Sequence, residues 1–184
     1  MFSTTLGLLR TCSKELMTQI KIRRCEEADW PAVWPLLRTT FEAGDTYAFS
    51  PQSTEAEIHA VWMVAPRATY VVRRGDAGDG PVLGTYFIKP NQPGLGSHVC
   101  NCGYVVAPEA QGQGLASAMC EHSQREALAM GFSAMQFNLV VSTNERAVRL
   151  WKRLGFEVVG ILPKAFQHLK LGLVDAFVMF KVLG

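Results

Sequence analysis

The sequence lacks several features that would each point to a particular class of protein. It contains no stretch of about 20 consecutive apolar residues, so no membrane-spanning helix is predicted. The formal net charge is only +2, from 18 Lys and Arg against 16 Asp and Glu. This imbalance is too weak to favour nucleic acid or an anionic membrane as the main partner. Any anion-binding site must therefore be local.

Cysteine is present, but it lacks the spacing of a metal site or of a disulfide framework. The five cysteines are Cys12, Cys25, Cys100, Cys102 and Cys120. Their number is odd and no zinc-type spacing occurs, while a chain of 184 residues can bury a core without such staples. We therefore expect reduced thiols in a cytoplasmic protein, and no bound metal.

The composition predicts one folded domain. Hydrophobic residues make up 48% of the chain and charged residues 18%, the balance of a globular protein. Residues 1–16 contain a short apolar run, but neither a basic start nor a small-residue cleavage site, so a signal peptide is not predicted. Met17 opens a better domain start. A disordered leader at 1–16 and a translation start at Met17 are two hypotheses, and a single domain is predicted over 17–184.

The first third of the chain reads as a strand followed by a two-helix arm. Alternating apolar and basic residues predict a strand over 20–24, and an apolar period predicts a helix from Ala32 to Phe41. Thr54 and Glu57 have the spacing of a capping box, which predicts a second helix through about Met63. The turn-rich stretch between these helices predicts a loop.

The rest of the chain alternates strands with two further helices. The β-rich runs 69–73 and 82–89 flank a cluster of Gly and Asp and predict an antiparallel hairpin. Later strands are predicted at 98–106, 134–141, 157–162 and 174–182, with a helix that closes near Gly131 and another that is capped by Thr143 or Asn144 and ends at Leu154. With no internal repeat and no linker, these elements predict one α+β domain around a mixed sheet.

The hexapeptide at 111–116, QGQGLA, lies between a predicted strand and a predicted helix. Backbone N–H groups at a helix start lack intrahelical partners, and the helix end carries about half a positive charge. Two glycines leave room for a diphosphate to approach them. A dinucleotide fingerprint needs a third glycine where this chain has Ser117, and a P-loop needs a following Lys, so both of those nucleotide readings are excluded.

Two motifs at the expected separation make the chain resemble the GNAT superfamily of N-acetyltransferases from Met17 onward. The first is the hexapeptide, through Gln111, Gly114 and Ala116; the second is the element that begins at Asn144 and ends in Gly155 and Phe156. The resemblance implies an α+β fold with a mixed, mostly antiparallel twisted sheet of six to seven strands and about four helices. It also implies acetyl-CoA as the cofactor. The residues implied to bind it are Val105, Val106, Gln111, Gly112, Gln113, Gly114, Leu115, Ala116 and Asn144.

Three strings are similar to a narrower branch, the azetidine-2-carboxylate and proline-analogue N-acetyltransferases of yeasts. They are LGTYFIKPN at 83–91, SHVCNCGYVV at 97–106 and FNLVVSTN at 137–144. The likeness implies that Asn101 and Asn138 are substrate-binding and catalytic residues, and that Glu42 and Tyr47 line the acceptor site. An amide offers both donors and acceptors to a zwitterion, although each asparagine could instead satisfy backbone groups.

The resulting prediction is an acetyl-CoA-dependent N-acetyltransferase that acts on the amine of a small molecule, an amino acid or a toxic amino-acid analogue. A protein or peptide N-acetyltransferase and a non-catalytic acyl-CoA sensor are the alternatives. Many members of the superfamily carry a tyrosine where this chain has Trp151, so the acid that protonates the thiolate stays open between solvent, Tyr104 and the substrate. The general base also stays open, with Glu109 and His98 as weak candidates. A homodimer is also expected, because exposed sheet edges make dimers common among similar proteins.

Overall fold

The computed structural model of this chain describes residues 20–75 and 78–184. They form one sheet of seven strands in the order β1-β2-β3-β4-β5-β7-β6. The strands are β1 Ile20–Arg24, β2 Ala68–Arg74, β3 Val82–Pro90, β4 Val99–Val106, β5 Ala134–Val141, β6 Glu157–His168 and β7 Gly172–Val182. The helices are α1 Trp30–Glu42, α2 Glu55–His59, α3 Leu115–Ala129 and α4 Glu145–Arg153. All neighbouring strands are antiparallel except the parallel pair β4 and β5.

Hydrophobic cores cover both faces of the sheet, because alternate residues of each strand point to opposite sides. Tyr86 and Ile88 of β3 belong to the core that contains Met119 of α3. Phe87, between them in the sequence, belongs to the core that contains Leu37 of α1 and Trp62. The two-helix arm therefore packs on one face, and α3 and α4 pack on the other.

Strands β4 and β5 pair over only two residues each and then separate. Val99 is in register with Ala134, and Cys100 with Met135. Beyond that point β4 continues to pair with β3 as far as Val106, and β5 continues to pair with β7. The sheet is thus open along one line at its centre.

Most predicted elements occur within one to three residues of their expected bounds, but β6 is six residues longer than the predicted strand at 157–162. The prediction ended the strand before Pro163, which cannot donate a ladder hydrogen bond. The structure accommodates this residue in an irregularity, a register shift between Leu162 and Phe166. There Lys164 has φ 54° and its N–H donates to Asp175 Oδ1 at 2.9 Å.

The second helix also differs from its prediction. The capping box is present, since Thr54 Oγ1 accepts from Glu57 N and Glu57 accepts from Thr54 N. The α-helix ends at His59, however, and a π-helical turn follows it over Ala60–Val64. The predicted leader at 1–16 lies outside the described residues. Across 20–75 and 78–184, no helix is both long enough and apolar enough to cross a membrane.

Candidate active site

Two cavities meet where β4 and β5 separate. The first, of about 460 Å³, lies on the face covered by α1 and is named here the asparagine cavity after Asn101, Asn138 and Asn144 in its wall. The second, of about 660 Å³, lies between α3 and α4 and is named the arginine cavity after Arg146, Arg149 and Arg153. Both cavities are lined by Tyr104, Val106, Asn144, Ala147 and Trp151. A long ligand in one could therefore reach the other.

The predicted phosphate loop forms part of the arginine cavity. Gly112 and Gly114 have φ of +79° and +86°, a backbone conformation that glycine adopts without steric cost. Helical hydrogen bonding in α3 starts at Ala118 N, which donates to Gly114 O at 3.1 Å. The amides of Leu115, Ala116 and Ser117 precede that bond in the first turn, where N–H groups and the helix dipole favour an anion.

Five of the six loop residues line the arginine cavity, namely Gln111, Gly112, Gly114, Leu115 and Ala116. Gln113 lines neither cavity, and its Nε2 donates to Glu109 O at 2.7 Å within the loop. Val105 and Val106 also lie where they were predicted to contact the cofactor arm, since Val105 lines the asparagine cavity and Val106 lines both. Their roles in binding stay predictions.

Three arginines of α4 make the arginine cavity cationic. Arg149 pairs with Glu145 at 2.8 Å, and Arg146 lies so close to the loop that a Cβ atom at position 112 would come within 3.3 Å of its Nη2. No Asp or Glu of the described chain lines this cavity. Open amides at a helix start, three guanidinium groups and no carboxylate fit a ligand that carries several phosphates.

Arg146 is a candidate phosphate ligand that the sequence motifs did not identify. The signal was present, because residues 146, 149 and 153 have the i, i+3, i+7 spacing of one helix face. Lys152 does not fit this spacing and lines neither cavity.

Asn101 bridges the gap between the separating strands. Its Nδ2 donates to Gln136 O on β5 at 2.9 Å. Because a carbonyl oxygen can only accept, this bond fixes which end of the amide is which. Oδ1 of Asn101 is left as an acceptor, and no side chain or backbone group of residues 20–75 and 78–184 donates to it.

The other two predicted asparagines also line the asparagine cavity. Asn138 lies in a row of amides: its Nδ2 donates to Asn91 Oδ1 at 2.7 Å, and its Oδ1 accepts from Gln136 Nε2 at 2.8 Å. Asn144 caps α4, since its Oδ1 accepts from Ala147 N at 3.1 Å. The structure thus brings Asn101, Asn138 and Asn144 together around one cavity.

The loop at 43–50 closes one side of the asparagine cavity through Tyr47. The Tyr47 hydroxyl donates to Tyr104 O on β4 at 3.0 Å, and burial raises the pKa of this phenol well above its usual value. It approaches so closely that a Cβ atom at Gly103 would lie 3.1 Å from the hydroxyl. Glu42, predicted beside it, lines neither cavity; its carboxylate accepts from Arg38 Nε at 2.7 Å on the exposed face of α1.

Within the described residues, neither cavity is lined by a histidine or a carboxylate. His98 and Glu109, considered as bases, lie outside both linings. Tyr104 lines both cavities, but its hydroxyl is hydrogen-bonded to Ser123 Oγ at 2.7 Å and burial raises its pKa well above its usual value. Such a phenol retains its proton. No cluster of three or more metal-ligating side chains occurs in the described chain.

A comparison with known protein families identifies the family of this chain. The model of the acetyltransferase (GNAT) family matches residues 30–156. The chain belongs to this family. Its membership confirms the predicted fold, the predicted class of enzyme, an acetyltransferase domain, and the predicted cofactor, acetyl-CoA.

Individual relatives agree with the family. The chain is 40% identical over 99 residues to N-acetyltransferase aca1 of Schizosaccharomyces pombe; this match covers 53% of the chain but 47% of aca1, so the chain spans about half the length of that curated relative. A GCN5-related N-acetyltransferase from Kribbella flavida is 40% identical, with a TM-score of 0.84 over 91% of this chain and 99% of that one. The yncA protein of Salmonella typhimurium, solved with its cofactor acetyl-CoA, shares the fold at 20% identity and a TM-score of 0.76, over 90% and 94% of the two chains.

Proposed function

We propose that this chain is an N-acetyltransferase that transfers acetyl from acetyl-CoA to the amine of a small molecule, an amino acid or a toxic amino-acid analogue. The observation that carries the proposal is the meeting of the two cavities at the gap between β4 and β5. One cavity is cationic and bordered by a helix start. The other is smaller, and three asparagines line it. This arrangement suits a phosphate-bearing donor on one side and a smaller acceptor on the other.

Both backbone and side-chain groups would bind the acetyl donor. The backbone N–H groups of the loop at 111–116 and the guanidinium of Arg146 would hold the diphosphate, while Val105, Val106 and Asn144 would hold the pantetheine arm. When bound, acetyl-CoA supplies an acyl group activated as a thioester. The short parallel pairing of β4 and β5 supports this assignment, since it leaves backbone N–H and C=O groups of β4 beyond Cys100 without a partner strand on that side.

The acceptor side would act mainly by positioning. A neutral amine is needed as the nucleophile, yet no carboxylate or imidazole of the described chain lines either cavity. Backbone N–H groups near Val105 and Val106 would stabilise the oxyanion, and holding the two reactants together can contribute about 7 kcal/mol or more. A positioned base would add only about 10²- to 10⁴-fold. The leaving thiolate would then be protonated by solvent or by the substrate's own proton, and not by Tyr104.

The finer part of the proposal is the acceptor. Two of the three strings that are similar to the azetidine-2-carboxylate and proline-analogue acetyltransferases contain Asn101, Asn138 and Asn144, and these three asparagines line one cavity. Its volume of about 460 Å³ lies in the range of small-molecule sites, about 300–1,000 Å³. A volume in this range fits a small acceptor. A cytoplasmic location and a homodimer through an edge strand also stay proposals.

Two measurements test this function. Calorimetry with purified protein should show binding of CoA and acetyl-CoA, and a thiol-release assay should show turnover with azetidine-2-carboxylate, cis-4-hydroxyproline or another amino acid. Turnover of peptides or polyamines alone would reject the small amino-acid acceptor. Binding of acetyl-CoA without thiol release from any amine would favour the sensor, and absence of CoA binding would reject the whole proposal.

A further inference from the structure

A single cation lies in the wall of the asparagine cavity. It is Lys89 of β3, the one charged side chain among the described residues that line this cavity. Its Nζ lies 5.4 Å from the centre of the Phe87 ring, and none of the ion pairs in the described chain includes it. A half-buried ammonium group with no carboxylate partner is suited to an anion that comes from outside the chain.

Lys89 is the cross-strand neighbour of Asn101. The two residues are in register on the antiparallel pair β3 and β4, so their side chains lie on the same face with Cβ atoms about 4.5–5.5 Å apart. Asn101 offers Oδ1 as an acceptor, because its Nδ2 donates to Gln136 O. Asn101 Oδ1 can accept a hydrogen bond from an amine, and the neighbouring Lys89 can bind a carboxylate. An α-amino acid carries these two groups on one carbon.

A buried hydroxyl lies in the same wall. Thr46 Oγ1 is the one buried side-chain oxygen or nitrogen of the described residues that has no hydrogen-bond partner, and Thr46 lines the asparagine cavity. Buried polar groups are nearly always satisfied in folded proteins, so an exception calls for a partner. A ligand in this cavity would supply one.

From these three observations we propose that Lys89 and Thr46 form a subsite for a carboxylate on the acceptor, and that Lys89 is a specificity-determining residue. The acceptor is then an α-amino or α-imino acid with a free carboxylate, whose amine lies toward Asn101 Oδ1. Polyamines and lysine side chains of peptides lack this anion and would place a second positive charge beside Lys89. The inference rests on the proposed function, and it adds the group that selects the acceptor.

The test compares an acceptor amino acid with its own carboxamide, which keeps the amine and removes the negative charge. Wild type should show the higher kcat/KM on the acid. Lys89→Met should lower kcat/KM on the acid by about 10- to 100-fold, the usual cost of losing a hydrogen bond to a charged group, with a much smaller loss on the carboxamide. Lys89→Arg should restore part of the preference, and Thr46→Val should weaken it in the same direction.

A matched control is Lys21→Met on the outer strand β1, which removes the same charge and lines neither cavity. It should leave the preference for the acid as it is in wild type. Equal losses on acid and carboxamide in Lys89→Met, or no preference in wild type, would overturn the inference. If acetyl-CoA binds but no amine is acetylated, the proposed function fails instead. Calorimetric binding of acid and carboxamide to the CoA-saturated protein then decides the role of Lys89 on its own.

Discussion

Asn101 is the side chain on which the geometry of the site depends most directly. It is the residue that crosses from β4 to β5 at the point where backbone pairing stops, through its bond to Gln136 O. Replacement by Ala removes this bond and the Oδ1 acceptor together. We expect Asn101→Ala to lower kcat/KM for the acceptor by about 10- to 100-fold, measured as initial rates of thiol release.

Two further measurements separate chemistry from folding. The melting temperature should fall by only a few degrees, as expected for one hydrogen bond of about 1 kcal/mol, and the affinity for CoA should change little. Asn91→Ala is a comparison variant, because it removes an amide that lines neither cavity and bonds Asn138 and not Asn101, so a loss there reports on Asn138. Unchanged kinetics in Asn101→Ala would refute the role given to Asn101.

The type of most candidate residues could be read from the sequence, but not the direction of their side chains. Asn101, Asn138 and Tyr47 line the asparagine cavity and Asn144 lines both cavities, while their roles in binding stay predictions. Gln113 turns back to Glu109 O, because a flexible side chain in a turn bonds to the nearest backbone acceptor. Glu42 pairs with Arg38 because residues four apart meet on a helix surface. Such local competitors are invisible in a motif.

The phosphate loop shows how one backbone conformation serves an entire element. Gly114 is the N-cap of α3 with φ +86°, and a Cβ atom added there would meet no atom of the described chain within 4 Å. Gly131, just beyond the other end of α3, has φ +87° and equally open surroundings. The two glycines therefore differ in location but not in local strain.

This pair allows a controlled prediction for the donor site. Ala at either position should cost about 1–2 kcal/mol of stability, because an L-residue is strained in this region. Only Gly114→Ala adds a methyl group beside the amides that face the arginine cavity, so it should weaken CoA binding by about tenfold or more, while Gly131→Ala should change it less than twofold. Calorimetry gives both affinities. Equal effects on CoA binding would mean that the loop acts only through stability.

The elements themselves were predictable where pattern and capping agreed. The capping box at Thr54 and the strand–loop–helix order around the hexapeptide are encoded locally, and both occur in the structure. The length of β6 and the π-turn after α2 were not predictable. In the first case tertiary pairing with β7 carries the chain past Pro163, and in the second the packing of Trp62 against Phe87 and Thr85 competes with regular helix geometry.

At the scale of the whole molecule, the opening of the sheet is a consequence of topology that single motifs do not specify. β5 enters parallel to β4 after the crossover through α3 and then follows β7. The family resemblance predicted a mixed, mostly antiparallel twisted sheet of six to seven strands, whereas composition and periodicity predicted only a mixed sheet. The two cavities exist because β4 continues to pair with β3 while β5 continues to pair with β7. Such long-range pairings are not encoded in any local pattern.

One carboxylate joins the elements at the β1 edge of the sheet. Asp29, just before α1, accepts from Arg23 of β1, from Arg73 of β2 and from Glu26 N, at 2.7–2.9 Å. Burial alone would raise the pKa of Asp29, but these hydrogen bonds together lower it well below its usual 3.8. A carboxyl group with a lowered pKa in the folded state stabilises the fold at pH above its unfolded value, and this contribution disappears as the pH falls through the folded value.

Asp29→Asn should therefore reduce the free energy of unfolding by about 3 kcal/mol at pH 7, as expected when one partner of a buried ion pair is removed. The difference from wild type, measured by urea denaturation, should stay constant from pH 7 down to about 5 and shrink only below about 4, because Asp29 then takes up a proton in the unfolded chain while it stays ionised in the folded one. Glu42→Gln changes the net charge equally but disrupts only the exposed pair with Arg38, so it should cost less than about 1 kcal/mol. A difference between Asp29→Asn and wild type that does not depend on pH down to 3 would show that packing, and not charge, makes Asp29 important for joining β1, β2 and α1.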